Sequence, residues 1–242
     1  MEKGIGSLKK IPSGIEGLDN VLRGGIPQKR ILLLVGGPGS GKTTMSIEFL
    51  YHGIKNSKEK GMYVTFEEDP KHMIENTQSF GWDVEGLEKS GMLTLLDLSG
   101  LLLGSTVSVE SISELINNQV KEKNVARLVI DGLTSLVVQE SSERVRRRNI
   151  IRFFRALQDN GCTILVTSES SEQGFSLEEY LAHGVIKLES FLKDDFLVTS
   201  IRIAKLRGSA HDRNPHPYKV GEHGVTVFSS ASVSVASVYQ DE

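Results

Sequence analysis

Residues 35–44 read Val35-Gly36-Gly37-Pro38-Gly39-Ser40-Gly41-Lys42-Thr43-Thr44. They fit G-x-x-x-x-G-K-T, with Gly36, Gly41, Lys42 and Thr43 at the fixed positions. The apolar run Ile31-Leu32-Leu33-Leu34-Val35 precedes them and ends in glycine, as a buried strand does. Downstream, Ile47, Leu50, Tyr51 and Ile54 recur at helical spacing. A strand, a glycine-rich loop and a helix in this order form a phosphate cradle. The glycines let successive backbone N–H groups turn inward around phosphate oxygens. The helix N-terminus adds unpaired N–H groups and the positive end of its dipole. Gly37, Pro38, Gly39, Ser40, Gly41, Lys42, Thr43 and Thr44 are therefore the candidate phosphate contacts. Lys42 is the reach to the β and γ phosphates, and the Thr43 hydroxyl is a ligand for Mg²⁺. The motif alone thus predicts a nucleotide's phosphates with Mg²⁺.

The chain has 242 residues, which suits one large α/β domain or two small ones. Hydrophobic residues are 38% and charged residues 24%, enough apolar material for a core without a membrane-like composition. No apolar run reaches the length of a membrane span. Met1-Glu2-Lys3-Gly4 lacks the apolar centre of a signal peptide. The single cysteine, Cys162, sits in an apolar run and has no internal disulfide partner, so a buried thiol is expected. These features predict a cytoplasmic protein with no membrane partner. Lys plus Arg number 28 against 31 Asp plus Glu, a net charge of −3 that gives no whole-chain attraction to nucleic acid.

Three segments follow from the pattern: a lead-in over 1–29, a nucleotide-binding core over 30–228, and a Ser/Val-rich tail over 229–242. The lead-in carries turn signals at 11–15 and 24–27. One short helix around Ile15, Leu18 and Leu22 lies between them, either over a base or packed at an edge. Met62 to Phe66 predicts a second strand, ending in Glu67 and Glu68. Open α/β sheets bind ligands at such strand ends, and adjacent residues face different ways, so at most one of the two points at the phosphates. Asp69 and Pro70 predict the cap and first position of a helix. A third strand is expected over 92–97. Ser111 and Glu114 have capping-box spacing before the stripe Ile112, Leu115, Ile116 and Val120. The run 98–107 reads as a loop.

The fourth strand, Ala126 to Asp131, ends in a carboxylate able to hold the water shell of Mg²⁺ while Thr43 and the phosphates take other positions. Arg144, Arg146, Arg147 and Arg148 then occupy several faces of the first turns leading into a helix with Ile150, Ile151, Phe154 and Leu157 on one face. They are a solvated surface, a subunit contact or a polyanion contact. Cys162 to Thr167 predicts the fifth strand, after which Ser168 or Glu169 is placed to sense the γ-phosphate. Ser176 and Glu179 cap a short helix. From Val185 helices disappear, and the strands 185–188, 196–204, 218–220 and 224–228 predict antiparallel pairing at the sheet's end.

The chain resembles the KaiC-like branch of the RecA-type ATPases. The resemblance is carried by Ser13-Gly14-Ile15-Glu16-Gly17-Leu18-Asp19, Gly24-Gly25-Ile26-Pro27 and the phosphate loop. It continues through Phe66-Glu67-Glu68, Phe80-Gly81-Trp82, residues 129–134, Thr167-Ser168-Glu169 and residues 203–211. It implies a three-layer RecA-like P-loop fold: a mostly parallel central sheet with antiparallel strands near the C-terminus. It also implies Mg-dependent ATP hydrolysis between subunits of a homo-oligomeric ring, a hexamer in the family pattern. Glu67 and Glu68 are the carboxylates that would activate water, and Lys205 and Arg207 would reach a neighbour's nucleotide. The implied role is a slow ATPase serving as an assembly or signalling switch, with an unidentified protein partner. The alternatives are a DNA-binding recombination or repair ATPase and a scaffold ordered by ATP without hydrolysis. DNA as a partner is opposed by the acidic residues Glu169, Glu172, Glu178 and Glu179 after the fifth strand.

Overall fold

In the computed structural model, residues 8–102, 108–138, 142–170, 176–193 and 196–233 are described. The lead-in folds as β1 (Lys10–Ile11), α1 (Leu18–Val21) and β2 (Ile26–Pro27), with β1 and β2 paired antiparallel. β3 (Ile31–Gly36) and α2 (Lys42–Ser57) flank the phosphate loop as expected. β4 (Gly61–Thr65), α3 (Pro70–Gln78), α4 (Val84–Lys89), β5 (Leu93–Asp97) and α5 (Ser99–Leu102) follow. Next come α6 (Val109–Lys123), β6 (Arg127–Asp131), α7 (Leu133–Val138), α8 (Glu143–Gln158), β7 (Thr163–Ser168) and α9 (Leu177–Leu181). β8 (Gly184–Lys193), β9 (Phe196–Leu206), β10 (His216–Gly221) and β11 (Gly224–Val227) complete the chain.

The large sheet has the order β11-β10-β9-β8-β3-β7-β6-β4-β5. Its strands from β8 to β5 run parallel, while β8–β9, β9–β10 and β10–β11 are antiparallel. The fold is thus the three-layer, mostly parallel RecA-like P-loop sheet with its antiparallel strands at the C-terminal edge. Side chains alternate between two apolar clusters. Leu32, Leu34, Tyr63, Val129 and Leu165 face α2 and the lead-in, with Ile15, Leu18 and Ile26 in the same cluster. Leu33, Val64, Ile130 and Val166 face α6 and α8. Both faces are covered, so the central strands are apolar throughout, and each fully buried leucine contributes about 1.5–3 kcal/mol.

Several local expectations change. The N-cap of α6 is Ser108, whose Oγ accepts the Ser111 N–H, so the helix starts before the Ser111–Glu114 pair. Leu115 consequently turns outward at 38% exposure, and Val109 joins Ile112, Ile116 and Val120 inside. The arginines around position 146 stand on the first turns of α8, which begins at Glu143. Phe153, rather than Ile151, completes that helix's buried face. Part of the 98–107 run is helical as α5, and residues 103–107 lie outside the described residues. The tail beyond Val233 lies outside them as well. Asp69 and Pro70 cap and open α3 as the sequence predicts, with Asp69 Oδ1 accepting the Lys71 N–H at 2.8 Å. Cys162 is buried, and burial pushes its thiol up to about 12. Among the described residues no helix is long and apolar enough to cross a membrane.

Candidate functional site

β3, β7, β6 and β4 all end on one side of the sheet, and the predicted site residues gather there. The loop after β3 turns through left-handed Gly39 (φ 74°) and Gly41 (φ 85°), a conformation that favours glycine. Nothing lies within 4 Å of the position a Cβ would take on Gly37 or Gly39, so the mouth of the loop is open. Lys42 Nζ donates to the Gly36 and Gly37 carbonyls at 2.8 and 2.9 Å, folding the ammonium over the loop. Ser40 Oγ donates to the Gly37 carbonyl at 2.8 Å and braces the turn.

Asp131 ends β6 at 8% exposure, and three hydroxyls hold it. Thr43 Oγ1 donates to Oδ2 at 3.1 Å from the first turn of α2. The Tyr63 hydroxyl of β4 donates to the same oxygen, and Thr167 Oγ1 of β7 donates to Oδ1. Burial, then the Asp131 charge, push the Tyr63 phenol well above its usual range, so it is a donor at neutral pH. Thr167 Oγ1 also accepts the Gly132 N–H at 2.9 Å, tying the turn after β6 to β7.

The two glutamates part company, as adjacent residues must. Thr65 Oγ1 accepts both N–H groups, from Glu67 at 3.2 Å and Glu68 at 3.0 Å, and so fixes the strand's end. The Glu67 carboxylate accepts from Ser135 Oγ and lies against Gly132. Gly132 has φ 89°, and a Cβ on it would fall 2.7 Å from Glu67 Oε1. Glu68 instead accepts from Asn76 Nδ2 of α3 at 3.2 Å. Its carboxyl is raised by burial first and by the Asp131 charge second. A cavity of about 190 Å³ is lined by Lys42, Thr43, Glu67, Asp131, Ser168 and Glu169, among others; Glu68 is outside that lining. Thr134 Oγ1 accepts the Glu169 N–H at 3.1 Å and meets Ser168 Oγ at 3.5 Å, which sets the end of β7.

A second cavity, about 320 Å³, lies on the other side of the loop against Gly39 to Thr44 and Val220. The C-terminal hairpin builds its wall. The Tyr218 hydroxyl donates to the Ser40 carbonyl at 2.7 Å, and a Cβ on Gly41 would lie 3.0 Å from Val220 Cγ2. Tyr63, Ser135, Tyr218 and Val220 carry no motif in the sequence, and Thr167 stands in a family motif without an assigned role. Only the alternation of β4 and β10 marks Tyr63 and Tyr218 as inward-facing.

Lys205 and Arg207 are not brought to this site within one chain. Lys205 pairs with Val185, whose neighbour on β3 is Leu33, and β9 runs away from the loop end of the sheet. Lys205 Nζ donates to the Glu179 and Tyr180 carbonyls at 2.7 and 2.9 Å, and Arg207 Nη2 to the Tyr180 carbonyl at 2.8 Å. Both cations thus sit together at the C-terminal end of α9. Burial first, then the Arg207 charge, bring the Lys205 ammonium down to about 8.

A family model described as "ATPase: KaiC" matches residues 11–232. The chain belongs to the KaiC family of ATPases. The circadian clock oscillator protein KaiC of a Prochlorococcus marinus strain is 34% identical over 231 residues, covering 92% of this chain and 46% of the relative. The protein of the same name from Synechococcus elongatus is 34% identical over 231 residues, covering 92% of this chain and 44% of its own length. This chain therefore spans about half the length of the curated KaiC relatives it matches. A solved KaiC-like protein from the hyperthermophilic archaeon Pyrococcus horikoshii OT3 superposes with a TM-score of 0.82 at 32% identity. That likeness covers 91% of this chain and 99% of the other, so a KaiC-like chain of matching span has been solved.

The residues present fit a magnesium nucleotide. An ammonium caps a glycine-rich loop at a helix N-terminus, which suits phosphate. A hydroxyl and a carboxylate 3.1 Å apart face the same cavity. Among the described residues no group of three or more His, Cys, Asp or Glu could hold a metal by itself. That is the donor set of Mg²⁺, which takes one or two protein oxygens together with phosphates and water.

Proposed function

We propose that this chain binds ATP with Mg²⁺ and hydrolyses it slowly, as a nucleotide-dependent assembly or signalling switch. The observation that carries the proposal is the shared cavity in which Glu67 meets Lys42, Thr43 and Asp131. Gly37, Pro38, Gly39, Ser40, Gly41 and Thr44 supply the cradle, and Lys42 swings from its loop carbonyls to the β and γ phosphates. Thr43 and Asp131 hold Mg²⁺, which when bound neutralises charge developing on the phosphates. Glu67 is the general base. Its partner Ser135 orients the carboxylate, and its place on the cavity wall supports a role in deprotonating the attacking water. Glu68, turned toward Asn76, supports the strand end. Ser168 and Glu169, at the end of β7, sense the γ-phosphate.

A ring would give Lys205 and Arg207 a role at a nucleotide. They lie on the end of the sheet away from their own loop, so any phosphate they reach belongs to a neighbour. A homo-oligomeric ring, six chains in the family pattern, brings each pair to an adjacent site. The DNA-binding alternative is less favoured, since Arg144, Arg146, Arg147 and Arg148 lie on the first turns of α8 and acidic residues such as Glu169 and Glu178 follow β7.

The test is phosphate release set beside ATP binding in two variants. Lys42→Ala should lose most binding. Glu67→Gln should bind as the parent does and lose turnover by about 10²–10⁴-fold, the range of general-base catalysis. Parental turnover in Glu67→Gln would remove Glu67 as the base. No phosphate release from the wild-type chain with ATP and Mg²⁺ would leave only the non-hydrolysing scaffold.

A further inference from the structure

Tyr63 lies in the middle of β4 with apolar neighbours on every side, at 2% exposure. A phenol buried so deeply is costly unless its hydroxyl is paired. Its partner is Asp131, not a backbone group. The strand register explains how it gets there. Tyr63 stands opposite Val129 and Thr65 opposite Asp131, so the long phenol climbs one residue pair along the sheet to reach the carboxylate. Tyr63 and Val129 share the face covered by α2, whose first turn carries Thr43.

The distribution of donors on Asp131 is uneven. Oδ2 takes both Tyr63 and Thr43, while Oδ1 takes Thr167. In the function proposed above, the Thr43 hydroxyl turns its oxygen toward Mg²⁺ and its proton leaves Oδ2. Tyr63 and Thr167 then remain as one hydroxyl donor on each carboxylate oxygen. That arrangement fixes the rotation of the carboxylate about its terminal bond and leaves a lone pair on Oδ2 free for the cation's shell. Phenylalanine would fill the same space in the core but leave Thr167 as the single hydroxyl opposing that rotation.

We propose that Tyr63 is a positioning residue for the cation: through its hydroxyl it holds the Asp131 carboxylate in the orientation that receives Mg²⁺. The proposal rests on Asp131 being the cation's carboxylate. Tyr63 acts through Asp131, beside Thr43, so its effect should fall on the metal dependence rather than on phosphate binding.

The experiment is calorimetric titration of ATP into the full chain, first in EDTA and then at a series of Mg²⁺ concentrations. It compares wild type, Tyr63→Phe, Asp131→Asn and the double variant. Tyr63→Phe should bind ATP normally in EDTA and need about tenfold more Mg²⁺ for the same gain in affinity, the size typical of residues that orient a metal ligand. Asp131→Asn should show a larger requirement, and adding Tyr63→Phe to it should change nothing further. A wild-type Mg²⁺ requirement in Tyr63→Phe, with Asp131→Asn impaired, overturns this inference alone. So does a Tyr63→Phe effect that persists in full on the Asp131→Asn background. A wild-type requirement in Asp131→Asn overturns the inference together with the cation reading beneath it. If Tyr63→Phe does not fold, 3-fluorotyrosine placed at position 63 answers the question by fluorine resonance. Its signal should move with ATP and Mg²⁺ but not with ATP in EDTA, and an unmoved signal in both overturns the inference.

Discussion

Glu48 lies on α2 one turn beyond the phosphate-loop end of the helix, at 3% exposure. Its Oε2 accepts the Val225 N–H of β11 at 2.8 Å, and His52 Nε2 stands 3.8 Å from its Oε1. Burial raises its carboxyl to about 8; the Val225 bond lowers it and the nearby Glu16 raises it. The folded chain therefore holds a proton on Glu48 that the unfolded chain has released above its ordinary value of 4.5. Between these two values the folded state binds more protons, so stability falls as pH rises through the window. Glu48→Gln keeps the acceptor for Val225 and removes the ionisation. Denaturant melts from pH 5 to 8 should show the wild-type chain losing stability with a slope that the variant lacks. The two should match near the acid end, and the variant should lead at pH 8 by at least about 1 kcal/mol, since one unit of pKa shift is about 1.4 kcal/mol. Parallel slopes would show that Glu48 is ionised in the fold.

The β10–β11 hairpin is the element on which several parts of the molecule meet. Tyr218 and Val220 flank the phosphate loop, Val225 binds Glu48, and Val227 N–H donates to the Glu16 carbonyl at 2.8 Å. Gly17 makes the last contact possible. It sits at φ 78°, and a Cβ on it would fall 1.9 Å from the Val227 carbonyl oxygen. Gly17→Ala should cost at least about 1 kcal/mol, more than a simple left-handed glycine replacement, because backbone must move as well. The hairpin would shift off the loop, so ATP affinity should fall together with the denaturant midpoint. An alanine variant with parental values for both would show that the hairpin docks independently of the lead-in. Elements of this kind divide by how local their causes are. The α3 cap was legible because Asp69 and Pro70 act within one turn. The α6 cap was displaced by one turn because Ser108, like Ser111, is a good N-cap residue, and Ser108 Oγ accepts the Ser111 N–H. α4 and α7 are too short to show a period. β8 and β9 run past the core as a mutual pair ending in exposed Leu192, Phe196 and Leu197, where no buried face imposes alternation.

At the scale of the whole molecule, the motif residues converge because parallel strands deliver their ends to one side of the sheet. A glycine loop, an aspartate and a pair of glutamates, each closing an apolar run, therefore announced most of the site. The hydroxyls behind Asp131 did not show, because buried Tyr and Thr look like core in a sequence. The wall from β10 did not show either, since 178 residues separate Tyr218 from Ser40. Lys205 and Arg207 are the reverse case, prominent in the sequence yet remote from the loop of their own chain. In the proposed ring, each chain would complete its neighbour's site. The direct measurement is phosphate release from a mixture of Lys42→Ala and Arg207→Ala chains, each inactive alone, with co-assembly followed by mass. Some interfaces in the mixture join an intact Lys42 to an intact Arg207, so activity should return once the chains co-assemble. Co-assembled mixtures that stay inactive, or a wild-type monomer that remains fully active with ATP and Mg²⁺, would contradict a site built between chains.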